Sequence, residues 1–348
     1  MVDKLINIIQ KLAVPNVILR YIMIKFLDLT TINNLLLTVK KMNVLDDSNK
    51  DLLVKASKGF DWNCRHGHLA VAKWLYFSDK VDIHANDDYA FQLACQNGHL
   101  TVAKWLCSLG RVNIHANDDY AFWNSCINGH LAVAKWLYEI EEKQGKIKIN
   151  IHADDEYVFR LSCENGHLAV AQWLYDLACE KQHQVDIHAD NEYAFIRACE
   201  RGYLTVAKWL YSLGGINIHA DDEHVFILSC ERGHLEIAKW LYFLDGINDN
   251  INDNDNKYTL AMSYAFTICC KNGHLDVAKW IYSLDQVNIH DDGKYAFHLS
   301  CKNGQLAVAQ WLFSLDEKMI NIHAGNRYAF RYTNKDILFW LNNLPQKD

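Results

Sequence analysis

Cys163 stands four residues before His167 in the stretch Cys163-Glu164-Asn165-Gly166-His167. A thiol and an imidazole at that spacing could be half of a zinc site, or a nucleophile with its general base. A metal, however, needs three or four ligands converging within about 2.0–2.3 Å of one point. The pair alone cannot supply them. What it does depends on the elements that position it.

Those elements repeat. The glycine of the pair recurs as Gly67, Gly98, Gly129, Gly166, Gly202, Gly233, Gly273 and Gly304, at intervals of 31, 31, 37, 36, 31, 40 and 31 residues. Seven residues after each glycine stands a tryptophan, from Trp74 to Trp311, and seven before each a phenylalanine, from Phe60 to Phe297. Three before each stands a cysteine: Cys64, Cys95, Cys126, Cys163, Cys199, Cys230, Cys270 and Cys301. Stacked repeats place equivalent residues about 10 Å apart, too far to share a metal. Tyr203 and Gln305 replace the histidine in two copies while the cysteine stays. Chemistry would lose a ligand there, whereas packing loses little. The cysteine therefore reads as a small core residue, and no catalytic residue, metal ligand or cofactor is expected. A metal- or thiol-dependent enzyme is the weakest of the functional readings.

One unit, residues 86–116, shows how the period folds. Asp87 or Asp88 can cap a short helix, and Phe91, Ala94 and Cys95 share one of its faces. Asn97-Gly98 stops that helix, since glycine takes the left-handed conformation a stop requires. A second helix follows, with Leu100, Ala103, Leu106 and Leu109 inward and Lys104 outward. Val112–Ala116 then runs extended into the next acidic pair. Neither helix is long enough to stand alone in water, so stacking must bury the shared face.

Gly98-His99-Leu100, Val102–Leu106 and Ala94-Cys95 resemble the ankyrin repeat, with Tyr89-Ala90-Phe91 in place of its Thr-Pro-Leu and His115 in place of an asparagine. The Lys-Trp-Leu-Tyr and Asn-Ile-His-Ala idiom is similar to that of ankyrin proteins encoded by giant viruses of amoebae. The resemblance implies an all-α solenoid of stacked helix-turn-helix pairs with short hairpin loops. It assigns residues 51–344 to an ankyrin domain of about nine repeats. The ninth, from Tyr328 to Leu341, is shortened and reads as a cap. Insertions at 139–148 and 177–184 are expected to lengthen second helices or the turns after them. The largest, about 245–263, reads as a solvated polar loop. It fails as a calcium loop: it has no central glycine, and Tyr264 stands where the bidentate glutamate belongs.

Residues 1–50 lack the period. Val14-Pro15, Ile18-Leu19, Ile22, Leu27, Leu35 and Val39 are laid out in a manner that resembles an F-box. That resemblance implies docking to the small adaptor subunit of a cullin–RING ubiquitin ligase, through apolar anchors in a groove. The alternative is a helical cap that hides the first repeat's apolar face.

Composition narrows the function classes. The 348 residues carry a net charge of −7 and no Lys/Arg run, which disfavours a nucleic-acid partner. No uncharged run reaches the roughly 18 residues of a spanning helix. With no secretory signal, the eleven cysteines are expected as reduced thiols. The expectation is a monomer of the cytoplasm or nucleocytoplasm, of a host cell if viral, with no membrane partner.

Function should then lie in residues that differ between copies. The resemblance places the residue five before each glycine on the concave binding face: Trp62, Leu93, Asn124, Leu161, Arg197, Leu228, Ile268 and Leu299. Trp123 and Arg160 are outliers in the adjacent column, and both types favour binding hot spots. Asp87, Asp88, Asp118, Asp119, Asp154, Asp155, Asp221, Asp222, Asp291 and Asp292 form an acidic ridge, less one cap per pair. The imidazoles His84, His115, His152, His188, His219, His290 and His323 are expected to ladder neighbouring hairpins together. The leading function is a non-enzymatic protein-interaction scaffold, with a substrate-recruiting ubiquitin-ligase adaptor as the alternative.

Overall fold

A computed structural model of the chain describes residues 58–78, 81–145, 149–181, 183–244, 256–285, 287–288, 292–315 and 335–343. The eight F-box-like positions lie outside them, as do His290, Asp291, His323 and residues 328–330 of the ninth copy.

Every described element is a helix. In chain order they are α1 (Phe60–Arg65), α2 (Leu69–Ser78), α3 (Ala85–Gln96), α4 (Leu100–Ser108), α5 (Ala116–Ile127) and α6 (Leu131–Gln144). Then come α7 (Ala153–Glu164), α8 (Leu168–Glu180), α9 (Ala189–Glu200), α10 (Leu204–Leu213), α11 (Ala220–Glu231) and α12 (Leu235–Leu244). Last are α13 (Asn256–Asn272), α14 (Leu275–Ser283), α15 (Asp292–Lys302), α16 (Leu306–Leu315) and α17 (Lys335–Asn342). The chain divides into two compact units. One takes residues up to 162 together with 169–185; the other takes 163–168 and everything from 186 onward. In the first, α1, α3 and α5 pack side by side; in the second, α9, α11, α13 and α15 do.

Each first helix stops as its glycine requires. The His99 N–H donates to the Ala94 carbonyl at 2.8 Å and the Gly98 N–H to Cys95 at 3.1 Å, with Gly98 at φ +76°. These two bonds satisfy carbonyls the helix end would leave bare. The starts differ from expectation. Asn86, Asp87 and Asp88 all sit in the left-handed region, and the N-cap residue is His84, which makes no side-chain capping bond. The same three-residue turn opens α5, α7 and α9. Asn and Asp tolerate this region better than other residues with a Cβ, which explains the Asn/Asp-rich tips.

The core of a pair consists of Phe91, Ala94 and Cys95 from α3 with Val102, Ala103 and Leu106 from α4, all essentially inaccessible. Leu100 and Leu109, expected inward, are half-buried, and Val102 takes their place. The tryptophan joins one repeat to the one before. Trp240 meets the Phe195 ring at 6.3 Å and the Tyr211 ring at 5.9 Å, both edge to face. Lys208 sits 5.9 Å from the same indole. In the first unit Phe60 and Tyr76 hold Trp105 in the same way.

The insertions at 139–148 and 177–184 do lengthen second helices: α6 has 14 residues and α8 has 13, against nine in α4. The polar loop expected up to residue 263 ends earlier. From Asn256 the chain is already helical, giving α13 17 residues.

Candidate functional site

The Cys–His element is turned to packing. Cys163 is fully buried, and burial raises its thiol far above the ordinary range. The same holds for Cys95, Cys126, Cys199 and Cys270. Cys64 and Cys301 are pushed up to about 12, again chiefly by burial. A thiol held protonated is a poor nucleophile and a poor ligand. The histidine after the glycine lies across the glycine of the preceding repeat. A Cβ on Gly98 would meet the His130 ring at 2.5 Å, and one on Gly202 would meet His234 at 2.7 Å. The ring is also bonded: His234 Nε2 donates to the Glu200 carbonyl at 2.8 Å, and His99 bonds the Arg65 backbone. Where the histidine is replaced, Tyr203 lies on Gly166 and Gln305 on Gly273. The glycine is thus both a helix stop and the floor for the next repeat's side chain. Among the described residues no group of three or more His, Cys, Asp and Glu could hold a metal ion.

The second histidine series bonds chiefly within its own hairpin, although His115 Nε2 also meets Glu141 of α6 at 2.5 Å. His84 Nδ1 donates to Asp88 at 2.6 Å, His115 to Asp119 at 2.5 Å, His152 to Glu156 at 2.7 Å and His188 to Glu192 at 2.8 Å. In the first of these hairpins the acid makes the crossing, since Asp88 also accepts the Asn113 N–H of the next repeat at 2.8 Å. The left-handed turn brings that carboxylate back over the imidazole and buries it. Asp88 therefore leaves the expected acidic ridge, while Asp87, Asp118, Asp154 and Asp155 remain exposed.

The residues expected to bind a partner fall into three groups. Leu93 and Ile268 are buried, with Leu161, Leu228 and Leu299 half-buried. In the first unit, Asn124 bonds the Tyr120 carbonyl at 3.1 Å, and Trp62 stacks on His66 at 4.0 Å. Arg160 clamps its own turn, donating to the Asp155 carbonyl at 2.7 Å and to Asp154 at 3.1 Å. Gln92 makes the equivalent bond to Asp87 at 2.6 Å. Trp123 occupies that position in the repeat between them, yet its buried Nε1 has no hydrogen-bond partner among the described residues. Its ring lies 5.6 Å from Tyr157.

In the second unit Arg197 belongs to a charged series. Glu200 accepts Arg197 at 2.5 Å and Arg232 at 2.7 Å; Glu164 accepts Arg201 at 2.5 Å and Tyr193 at 2.7 Å. Burial pushes the Glu200 carboxyl up, but the two guanidiniums outweigh it and leave it below its ordinary value. Three repeats on, the positions of Glu164 and Glu200 are held by Lys271 and Lys302, with no ion pair among the described residues.

Those lysines end an apolar depression of about 570 Å³ between α13 and α15. Leu260, Tyr264 and Ile268 run along α13 toward Lys271; Tyr295 and Leu299 run along α15 toward Lys302. The structure thus brings the expected Ile268 and Leu299 together as a floor. Its walls were not anticipated: Leu260, Tyr264 and Tyr295 are 62%, 56% and 60% exposed. The signal was present, because spacings of four residues put Leu260, Tyr264 and Ile268 on one helix face.

A profile of the family described as ankyrin repeats (3 copies) matches residues 60–153, 159–255 and 226–326. With more than half its length matched, the chain belongs to the ankyrin-repeat family, whose repeats serve as protein–protein interaction scaffolds. No curated protein matches it. Among solved structures it is similar to an ankyrin repeat family protein from Legionella pneumophila. The two are 20% identical over 75% of this chain and 81% of that one, with a TM-score of 0.31.

Proposed function

We propose that this chain is a non-enzymatic scaffold that holds a partner protein against the exposed face of its first helices. The observation that carries this reading is the open apolar surface of α13 and α15, where three large side chains are more than half exposed. Soluble surfaces seldom expose such side chains in a cluster without using them. Trp123, half-buried beside Tyr157, offers a second cluster in the first unit. Aromatic anchors of this kind dominate binding energy.

Affinity purification from cells, with the intact chain and with Tyr264→Ser/Tyr295→Ser and Trp123→Ala/Arg160→Ala variants, tests the reading. At least one protein should be captured by the intact chain and lost from a variant. Identical recoveries from all three, or none from any, would refute it.

The Val14-Pro15 to Val39 layout favours a further role, as a substrate-recruiting adaptor of a cullin–RING ubiquitin ligase. The likeness of the repeats to those of giant-virus ankyrin proteins makes the partner a host protein of the cytoplasm or nucleocytoplasm. Purified adaptor subunit should bind the full chain and not a chain lacking residues 1–50. Equal binding, or none to either, removes this role.

A further inference from the structure

We infer that the groove between α13 and α15 takes an amphipathic segment whose apolar residues are followed by carboxylates. The inference deepens the protein-binding reading and rests on it.

Shape comes first. The two rows are parallel because corresponding residues of adjacent repeats face one another: Tyr264 opposite Tyr295, Ile268 opposite Leu299, Lys271 opposite Lys302. Leu260 extends one row by a turn, which is available because α13 is longer than the first helices of the other described repeats. From Leu260 to Lys271 the groove runs about 16 Å at the helical rise. That is the length of roughly three turns of a docked helix.

Charge then fixes polarity and partner type. In the preceding repeats the position of these lysines carries Glu164, Glu200 and Glu231, the first two neutralised by arginines from their own or the next repeat. At Lys271 and Lys302 the sign reverses, and the neighbouring column supplies Asn272 and Asn303 instead of a counter-charge. Among the described residues neither ammonium group at this end of the apolar trough has an ion-pair partner, in a chain whose net charge is −7. Next to them lies a polar depression lined by Arg232, Lys271, Asn272, His274, Asn303 and Gln305, with Glu231 as the one acid among them. An incoming carboxylate would meet donors there, whereas a basic segment would be repelled. At the opposite end the Asp292 carboxylate accepts the Ser263 hydroxyl at 2.9 Å, so an acid lines the groove there. The occupant is thus an apolar run that ends in Asp or Glu over the lysines.

Selection of a displayed library of random 16-residue peptides on the full-length protein tests this. Enriched peptides should pair apolar residues at helical spacing with acids at one end. A labelled synthetic copy of the best should weaken about tenfold or more with Lys271→Glu/Lys302→Glu, and likewise with Leu260→Ser/Tyr264→Ser. All four positions are at least partly exposed, and unchanged circular dichroism and melting of the variants will show that folding is intact. Reselection on the charge-reversed protein should enrich basic peptides. An empty selection overturns the inference, as do winners without acids or winners indifferent to the groove substitutions. So does sedimentation showing a dimer that Leu260→Ser dissolves, because the occupant would then be a second copy. Peptides indifferent to the groove but lost with Trp123→Ala would leave the general scaffold reading standing.

Discussion

At the scale of single residues, the glycine carries more constraint than its backbone angle suggests. Gly98 needs a positive φ, and it also floors the His130 ring. Gly98→Ala should therefore cost about 1–3 kcal/mol, read as a lower melting temperature. His130→Ala in the same chain should relieve the contact and leave the backbone share of the loss. A Gly98→Ala protein as stable as the parent would sink this account. Half of it was legible in the sequence: the helix stop follows from Asn-Gly, but the ring that lies on the glycine comes from the next copy, which no local pattern reveals. The cysteines were legible in full, because eight copies at one register showed them to be core. In the native protein a bulky maleimide should label exposed Cys179 quickly and the buried column no faster than the protein unfolds. Rapid labelling of the column would contradict its burial.

At the scale of elements, the links between repeats are aromatic and ionic. Trp240→Leu removes the edge contacts to Phe195 and Tyr211 while keeping an apolar side chain, and should cost about 1–2 kcal/mol. A Phe195/Trp240 double-mutant cycle should return a favourable coupling; a coupling of zero would assign the tryptophan to area alone. Glu200 sits below its ordinary carboxylate pKa, so its stabilising share is present above the unfolded value of about 4.3 and is lost as pH falls. Glu200→Gln should flatten the acid limb of a urea-midpoint profile, and an unchanged limb would show the pairs to be idle. The helix pairs themselves were legible from spacing, as were the lengthened α6 and α8. The left-handed turns were not. Acidic residues before a helix normally signal capping, and the carboxylates here answer to histidines four residues back.

For the whole molecule, these shifts set a window of stability. The buried thiols have raised folded values, so their contribution is full below about pH 8.5 and disappears as pH rises. His99 has a lowered folded value, chiefly from burial, so its contribution is full above about pH 6.5 and declines as pH falls. Stability should peak between those limits and drop more steeply on the alkaline side, where many thiols act together. A urea-midpoint series from pH 4 to pH 10 measures this, and a flat alkaline limb would contradict it. The binding surface was partly legible at this scale. The spacing alone places Ile268 and Leu299 in one column, but the groove appears once the longer α13 adds Leu260 beside Tyr264.

At Gly98 and Gly202 the ring that covers the helix turn belongs to the repeat that follows. During synthesis the turn at Gly98 can form with its own backbone bonds, but it gains its cover only after His130 has been made, as Gly202 does after His234. At these turns a repeat made later serves as the lid of the one made before it.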